Sequence, residues 1–200
     1  MKLNKVLALA LSGVMAVSML AGCSGKTDDN KDEQEISSQD VVVASVNDVQ
    51  KDNDVKIEFK YDGELESALK TAVEAVAITG GSDTEIAGIV SKVMDIDNTE
   101  IRNFMFAKGN QAQQEGTQTV VAVTKATDNT LPNTAIAESS KNVNTNVLSK
   151  LAASSAVVGG VVYNYTYEGQ VAAVTTTAAD GTVSYYFVYV VTGTSTRALA

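Results

Sequence analysis

Histidine and tryptophan are absent from this chain of 200 residues, which has a single cysteine and a single proline. Without histidine the chain can form neither a Ser-His-Asp triad nor a zinc site with imidazole ligands. The one cysteine, Cys23, has no partner for a disulfide bond within the chain. Any catalysis would depend on Ser, Thr, Lys, Tyr, Asp or Glu, and the sequence predicts no catalytic residues, no metal site and no cofactor.

Basic residues are few: 15 Lys and Arg stand against 24 Asp and Glu, for a net charge of −9. An acidic surface repels the phosphate backbone of nucleic acids, so we expect no nucleic-acid partner. The chain is long enough for one domain with its own core and short for two.

The N-terminal residues have the composition of an export signal. Lys2 and Lys5 make the start basic, and an apolar run broken only by small residues extends from Val6 to Ala21. A basic head, an apolar middle and small residues at the end are typical of a secretory signal peptide. The alternative is an uncut transmembrane helix, for which this run is short, because a span needs about 20 apolar residues.

The end of this segment, Leu20-Ala21-Gly22-Cys23, resembles the lipobox of bacterial lipoproteins. The resemblance implies that the Cys23 thiol carries a diacylglyceryl group and that a peptidase cuts just before Cys23. The mature protein would then be held at the cell membrane, facing outside the cytoplasm, by acyl chains such as palmitate. Two or more chains give stable anchoring where one does not. The alternative is an ordinary signal peptide in which Cys23 has no role.

The resemblance and the composition together divide the chain into three parts. Residues 1–22 are the lipoprotein signal peptide, residues 23–40 are the lipidated cysteine with an acidic linker, and residues 41–200 are a single α+β domain. The linker has one large apolar residue, Ile36. It cannot bury enough surface to offset chain entropy, so we expect it to be disordered and to give the domain reach from the membrane.

Hydrophobic periodicity predicts the elements of the domain. The predicted strands are Val41–Val46, Val55–Tyr61 and Thr117–Thr127. The predicted helices begin at Asp62, at the capping box Ser82–Glu85, at Asp97 and at Thr134, and the last of these extends to Ser154.

The last stretch of the chain predicts three strands, Val157–Tyr167, Gln170–Ala179 and Thr182–Thr192. Glu168-Gly169 and Asp180-Gly181 stand where two-residue hairpin loops would connect them. We therefore predict an α+β fold with a C-terminal three-stranded antiparallel meander, additional strands, and helices packed on one face of the sheet.

Aromatic residues of this meander share one face. One interpretation is a platform for a sugar or a peptide, which makes Tyr163, Tyr165, Tyr167, Tyr185 and Tyr189 ligand-binding candidates. The other is that this face is the core, covered by helices at 62–94 and 134–154. We favour the core, because monomers rarely expose so large an apolar patch.

Ser67-Ala68-Leu69-Lys70 matches the S-x-x-K motif of penicillin-binding proteins and serine β-lactamases, but the S-D-N and K-T-G motifs that accompany it there are absent from this sequence. We therefore expect a non-catalytic binding or accessory module at the cell surface, with an envelope protein or a glycan as partner. The alternative is a cell-envelope hydrolase using Ser, Asp or Glu. A third possibility is self-association through the edge of the sheet.

Overall fold

The computed structural model of the chain describes residues 14–19, 38–79, 81–127 and 132–200. These residues form an α+β fold, as the sequence predicts. Its elements are β1 (Val14–Met19), α1 (Ser38–Asp48), β2 (Phe59–Tyr61), α2 (Gly63–Thr79), α3 (Asp83–Val93), β3 (Gly116–Thr127), α4 (Pro132–Asn146), β4 (Val161–Ala178) and β5 (Val183–Leu199), with 3-10 turns at Ile101–Asn103 and Leu148–Lys150.

The strands form one mixed sheet in the order β1-β4-β5-β3. The long strands β4 and β5 form an antiparallel hairpin, and β3 pairs antiparallel with β5. The short strand β2 runs parallel to β4 and pairs with Gly169–Val171. In the described part of the chain, β3 therefore has a neighbouring strand on one side only.

The predicted three-stranded meander is wrong, because Glu168-Gly169 lies inside β4 instead of turning the chain. A Cβ atom at Gly169 would stand 2.8 Å from Ile57 Cγ2 and 2.9 Å from Phe59 Cδ1. Glycine in a strand interior often marks such a close approach. The chain turns at Asp180-Gly181 as predicted, and Gly181 has a φ of 86°. The loop is longer than the predicted two residues, because β4 ends at Ala178, β5 begins at Val183 and Thr177 pairs with Val183.

Helices cover both faces of the sheet, which corrects the prediction of one covered face. Helices α1 and α4 pack on one face, called here the α1/α4 face, and α2 and α3 pack on the other, the α2/α3 face. The run Val171-Ala172-Ala173-Val174 in β4 is at most 1% exposed. A continuous apolar run is what a strand buried on both faces requires.

Side-chain caps start two of the helices as predicted. Asp62 Oδ1 accepts a hydrogen bond from the Leu65 N–H at 2.9 Å and begins α2. Ser82 and Glu85 form the predicted capping box of α3. Each cap pairs N–H groups that would otherwise lack an acceptor in the first turn. Val93, at the end of α3, is 53% exposed.

The predicted strand Val41–Val46 is part of α1. Val42 and Val46, four residues apart, are fully buried on one side of that helix. Packing of this stripe overrides the β-propensity of valine. Helix α1 begins at Ser38, within the predicted linker, while residues 20–37, which include Cys23, lie outside the described residues.

Two further predicted helices differ in extent. The chain after Asp97 forms only the 3-10 turn Ile101–Asn103. The helix predicted to reach Ser154 ends at Asn146 and is followed by the turn Leu148–Lys150.

Strand β1 lies in the predicted signal peptide. Its backbone pairs antiparallel with Val174–Ala178 of β4, with a register shift near Val14. Within the described residues, no helix combines the length and apolar character that a membrane crossing demands.

Candidate functional site

The five tyrosines predicted as ligand-binding residues lie on the α1/α4 face. Tyr165, Tyr185 and Tyr189 are buried, and Tyr163 and Tyr167 are half-buried against the same core. Helices α1 and α4 cover this face. The prediction that these side chains share one face is correct, and their burial favours the core interpretation over the binding-platform interpretation.

Two of these tyrosines donate hydrogen bonds from their hydroxyl groups to backbone carbonyls inside the protein. Tyr165 donates to the Ala112 carbonyl at 2.8 Å, and Tyr167 donates to the Ala152 carbonyl at 2.6 Å. Burial raises the pKa of Tyr165 and of Tyr167 above the usual value. These hydroxyls satisfy buried carbonyl groups, which would be costly to leave unpaired.

A chain of hydroxyl groups links β5, α4 and β3. The Tyr189 hydroxyl lies 2.6 Å from Ser139 Oγ, and Ser139 Oγ is also hydrogen-bonded to Thr124 Oγ1. Burial raises the pKa of Tyr189 to about 12. The three side chains are buried and satisfy one another, so this chain fixes α4 on the sheet.

The Ser67 and Lys70 pair does not form a nucleophile site. Ser67 Oγ donates to the Gly63 carbonyl at 3.0 Å, one turn back along α2. In the region that the structure covers, no contact joins Ser67 to Lys70. The described residues also contain no cluster of three or more acidic or sulfur ligands that could hold a metal ion.

Glu66 is a buried carboxylate, 4% exposed. Its Oε2 accepts a hydrogen bond from the Tyr61 hydroxyl at 2.8 Å, and the Ala173 carbonyl lies 3.2 Å from the same hydroxyl. Burial, followed by the bond to Glu66, raises the pKa of Tyr61. Glu66 lines neither of the two cavities described below, so it is not presented to a substrate there.

A groove of about 720 Å³ runs along the outer edge of β3. Its floor is the backbone of Val120–Thr124. One wall is a stripe of α3, and the other is the matching stripe of α4. The lining positions are Asp83, Thr84, Ala87 and Gly88 on α3, Asn142, Val143 and Asn146 on α4, and Val147 directly after α4.

One end of the groove is closed by the chain that follows α3. The Thr99 N–H donates to the Thr119 carbonyl at 2.8 Å, and Asn98 Oδ1 accepts from the Val121 N–H at 2.8 Å. Asn98 makes an isolated parallel bridge with Thr119. These residues pair with β3 only at Thr119 and Val121, and among the described residues no further segment pairs with the outer edge of β3 beyond Val121.

Charges of both signs lie near each end of the groove. Arg102 and Glu100 form an ion pair at the closed end. At the other end, burial raises the pKa of Asp83, and the nearby charge of Lys125 opposes that shift. The Lys125 ammonium also lies 5.3 Å from the centre of the Tyr186 ring. The middle of the groove is uncharged.

A second cavity of about 530 Å³ is polar and lies beside β2 and β4. Gln170 Nε2 donates to Asp62 Oδ2 at 2.6 Å within it. Glu58, Lys60 and Glu168 supply further charges at its rim. Because Asp62 also caps α2, its carboxylate is already occupied, and this cavity offers less free bonding capacity than the groove.

Part of the α2/α3 face extends beyond its helices and is rich in threonine. Thr117 and Thr194 lie 3.2 Å apart through their hydroxyls, and Thr119 and Thr192 lie 3.0 Å apart. Cross-strand pairs of this kind stabilise a sheet. The hydroxyls bond to one another, so this surface is explained without a ligand.

Comparison with known proteins gives no match: no family model fits the chain, and neither a curated protein nor a solved structure is significantly similar to it. The α+β fold and the groove are therefore the observations on which a function can be argued.

The sequence did not predict the role of Asn98, because a lone asparagine carries no pattern. It missed the groove because four separate segments of the chain line it.

Proposed function

We propose that this protein is a lipid-anchored, extracytoplasmic binding module, non-catalytic, whose site is the groove beside β3. The anchoring rests on Leu20-Ala21-Gly22-Cys23 and its resemblance to a lipobox. Cleavage before Cys23 leaves the acylated cysteine at the N-terminus, tethered to the cell membrane. The polar segment that follows gives the domain reach from the headgroups.

The proposal that the groove binds a ligand rests on one observation: the outer edge of β3 is paired along only part of its length. The neighbouring segment ends after Asn98 and Thr99, yet α3 and α4 continue on both sides of the empty position. Ligand sites are typically concave and largely apolar, with a few polar groups that fix orientation. The groove has this character, with apolar walls and the Asn142 and Asn146 amides beside them.

The groove lining supports binding more than catalysis. Hydrolysis needs a nucleophile or an activated water together with a base that is held within hydrogen-bonding distance. Of the lining residues, Asp83 and Glu100 are acidic, and they lie at opposite ends. Glu100 is paired with Arg102, and no serine lines the groove.

Lipid attachment is tested by growing the producing cells with an alkyne analogue of palmitate and separating membranes from soluble fractions. We expect label on the protein, a mature N-terminus at residue 23, and recovery with the membranes. The Cys23→Ser variant should lose the label and keep its signal peptide. An unlabelled wild-type protein with a free thiol would contradict the anchoring.

Binding at the groove is tested with arrays of peptides and glycans probed with the full-length protein in detergent. Gly88→Leu places a side chain in the groove, where a Cβ atom meets nothing within 4 Å. Gly63→Leu is the matched control on α2, also without a neighbour within 4 Å. We expect signals that Gly88→Leu abolishes and Gly63→Leu retains. Signals unaffected by Gly88→Leu would place the site elsewhere.

A further inference from the structure

We infer that the groove binds an extended, uncharged peptide segment of another protein, which adds to the sheet as a strand beside β3. This inference rests on the proposed function and names the ligand class of the same site. Strand addition uses the main chain of the edge for affinity and side-chain pockets for specificity.

The backbone of β3 has free hydrogen-bonding groups at the floor of the groove, at Val123, and just beyond the floor, at Lys125. In a strand, the N–H and C=O groups of alternate residues point to opposite sides. The Thr119 carbonyl and the Val121 N–H point away from β5, so the groups of Val123 and Lys125 do so as well. Among the described contacts, neither Val123 nor Lys125 has a backbone partner on that side.

On the opposite side of the sheet, side-chain amides close the outer edge of β2. Asn47 Oδ1 accepts from the Phe59 N–H at 2.9 Å. Gln50 accepts from the Ile57 N–H and donates to the Ile57 carbonyl, both at 2.9 Å. In contrast to β2, the outward groups of Val123 and Lys125 have no such cap among the described contacts, although proteins normally cover or disrupt a bare edge.

The groove suits a lone strand better than the β3 edge of a second copy of this domain. The edge of β3 is recessed between α3 and α4, whose side chains form both walls. A second copy would bring a β3 edge that is recessed in the same way, so the helices of the two copies would collide before the strands met. A flexible segment of another protein has no such flanking helices.

The walls define the side chains that the added strand would carry. Alternate side chains of a strand point to opposite faces of the sheet. One set would face Ala87 and Gly88, where the missing side chain of Gly88 leaves room for a large apolar group. The other set would face Val143 and Val147. Uncharged side chains are favoured on both sides, because the lining in the middle of the groove carries no charge.

A glycan fits this groove less well than a peptide. Sugar rings bind best against aromatic faces, since tyrosine and tryptophan offer a large apolar ring with a polar tip. The described lining contains no aromatic residue. The free groups of β3 are instead a backbone N–H and a backbone C=O on the same residue, repeated at every second residue. This arrangement is complementary to a neighbouring polypeptide strand.

The test uses the full-length protein, purified from the producing cells in detergent, and a displayed library of random heptapeptides. Selected peptides are synthesised with a fluorophore and their dissociation constants are measured by anisotropy. Each peptide is then made with N-methyl groups at its odd or at its even residues. A strand uses only one of these sets against β3, so one methylated form should bind at least about tenfold more weakly and the other should bind normally.

Two proline variants locate the edge that is used. Val123→Pro removes an N–H that points into the groove and leaves the bonds to β5 intact. Thr117→Pro is its control, because Thr117 points the same way on β3 and lies outside the groove. We expect selected peptides to lose binding to Val123→Pro and to Gly88→Leu and to keep it with Thr117→Pro. Circular dichroism verifies that each variant is folded.

The outcomes separate this inference from the proposed function. Peptides blocked by Gly88→Leu but equally affected by both methylation patterns would overturn strand addition and leave the groove as a binding site. Peptides indifferent to Gly88→Leu, or a library that yields no binder, would overturn the inference. Binding lost with Thr177→Pro but kept with Val123→Pro would move the site to the edge of β4 where β1 pairs.

Discussion

Asn98 takes the place of a backbone carbonyl beside Val121. Its Oδ1 accepts the Val121 N–H at 2.8 Å, while the neighbouring Thr99 N–H donates to the Thr119 carbonyl. The Asn98 side chain and the Thr99 N–H together make the pairing on the outer edge of β3, where the described residues supply no full strand. Asn98 therefore determines where the pairing beside β3 stops and where the groove begins.

Replacing Asn98 with alanine should destabilise the fold by about 1–3 kcal/mol, because the Val121 N–H would lose its acceptor in a partly buried position. Urea denaturation followed by circular dichroism measures this change. Asn103→Ala is the control, since Asn103 is exposed and its side chain has no hydrogen bond among the described contacts. Equal stability of the two variants would contradict the role given to Asn98.

Replacing Gly169 with alanine should destabilise the protein by about 1–3 kcal/mol, a typical cost of overpacking. The new methyl group would press on Ile57 and Phe59, both of which are buried. The matched control is Gly63→Ala on α2, where a Cβ atom meets nothing within 4 Å and stability should be unchanged or slightly higher. Thermal unfolding of both variants provides the comparison.

Stability should fall as the pH rises from about 10 towards 12. The fold raises the pKa of Tyr189 from the usual 10.0 to about 12, so its neutral form is favoured in the folded state. That contribution is complete below pH 10 and is lost through this window at about 1.4 kcal/mol per pH unit. Tyr61 and Tyr167 shift in the same direction.

Urea titrations at pH 8, 10 and 11 measure this loss. Tyr189→Phe should have a shallower pH dependence than the wild type, because one ionising group is removed. It should also be less stable at pH 8 by about 0.5–1.5 kcal/mol, since its hydrogen bond to Ser139 is lost. An unchanged slope in Tyr189→Phe would argue against the burial of this hydroxyl.

The capping box of α3 should contribute measurably to stability. Ser82→Ala removes the acceptor of the Glu85 N–H and should cost about 0.5–2 kcal/mol. Ser67→Ala is a control for the same substitution inside a helix, where serine bonds only to the carbonyl one turn back. We expect that control to keep its unfolding midpoint or to raise it slightly.

Local signals in the sequence predicted the parts of the fold that depend on neighbouring residues. Asp62 and the Ser82–Glu85 box begin α2 and α3 as expected, because a cap needs only the residues within one turn. The strand at Thr117–Thr127 and the turn at Asp180-Gly181 followed from alternation and turn chemistry in the same way.

Contacts between distant residues account for what the sequence did not predict. Gly169 is a glycine because of Phe59, far earlier in the chain, so a local interpretation took it for a turn. Val42 and Val46 form a helix because one side of it is buried in the core, against their own propensity. The groove joins α3, the segment after it, β3 and α4, and no single stretch of sequence indicates it.

The hydrogen bonds that the Asn47 and Gln50 side-chain amides make have a mechanical consequence for a chain held at Cys23. A pull from the anchor enters the domain at the start of α1 and reaches the sheet where these two side chains grip Phe59 and Ile57. The load then meets the centre of the sheet through the pairing of β2 with β4, on the side away from the groove. If the chain is anchored as proposed, tension on the tether would thus be borne on the β2 side of the sheet, opposite the groove.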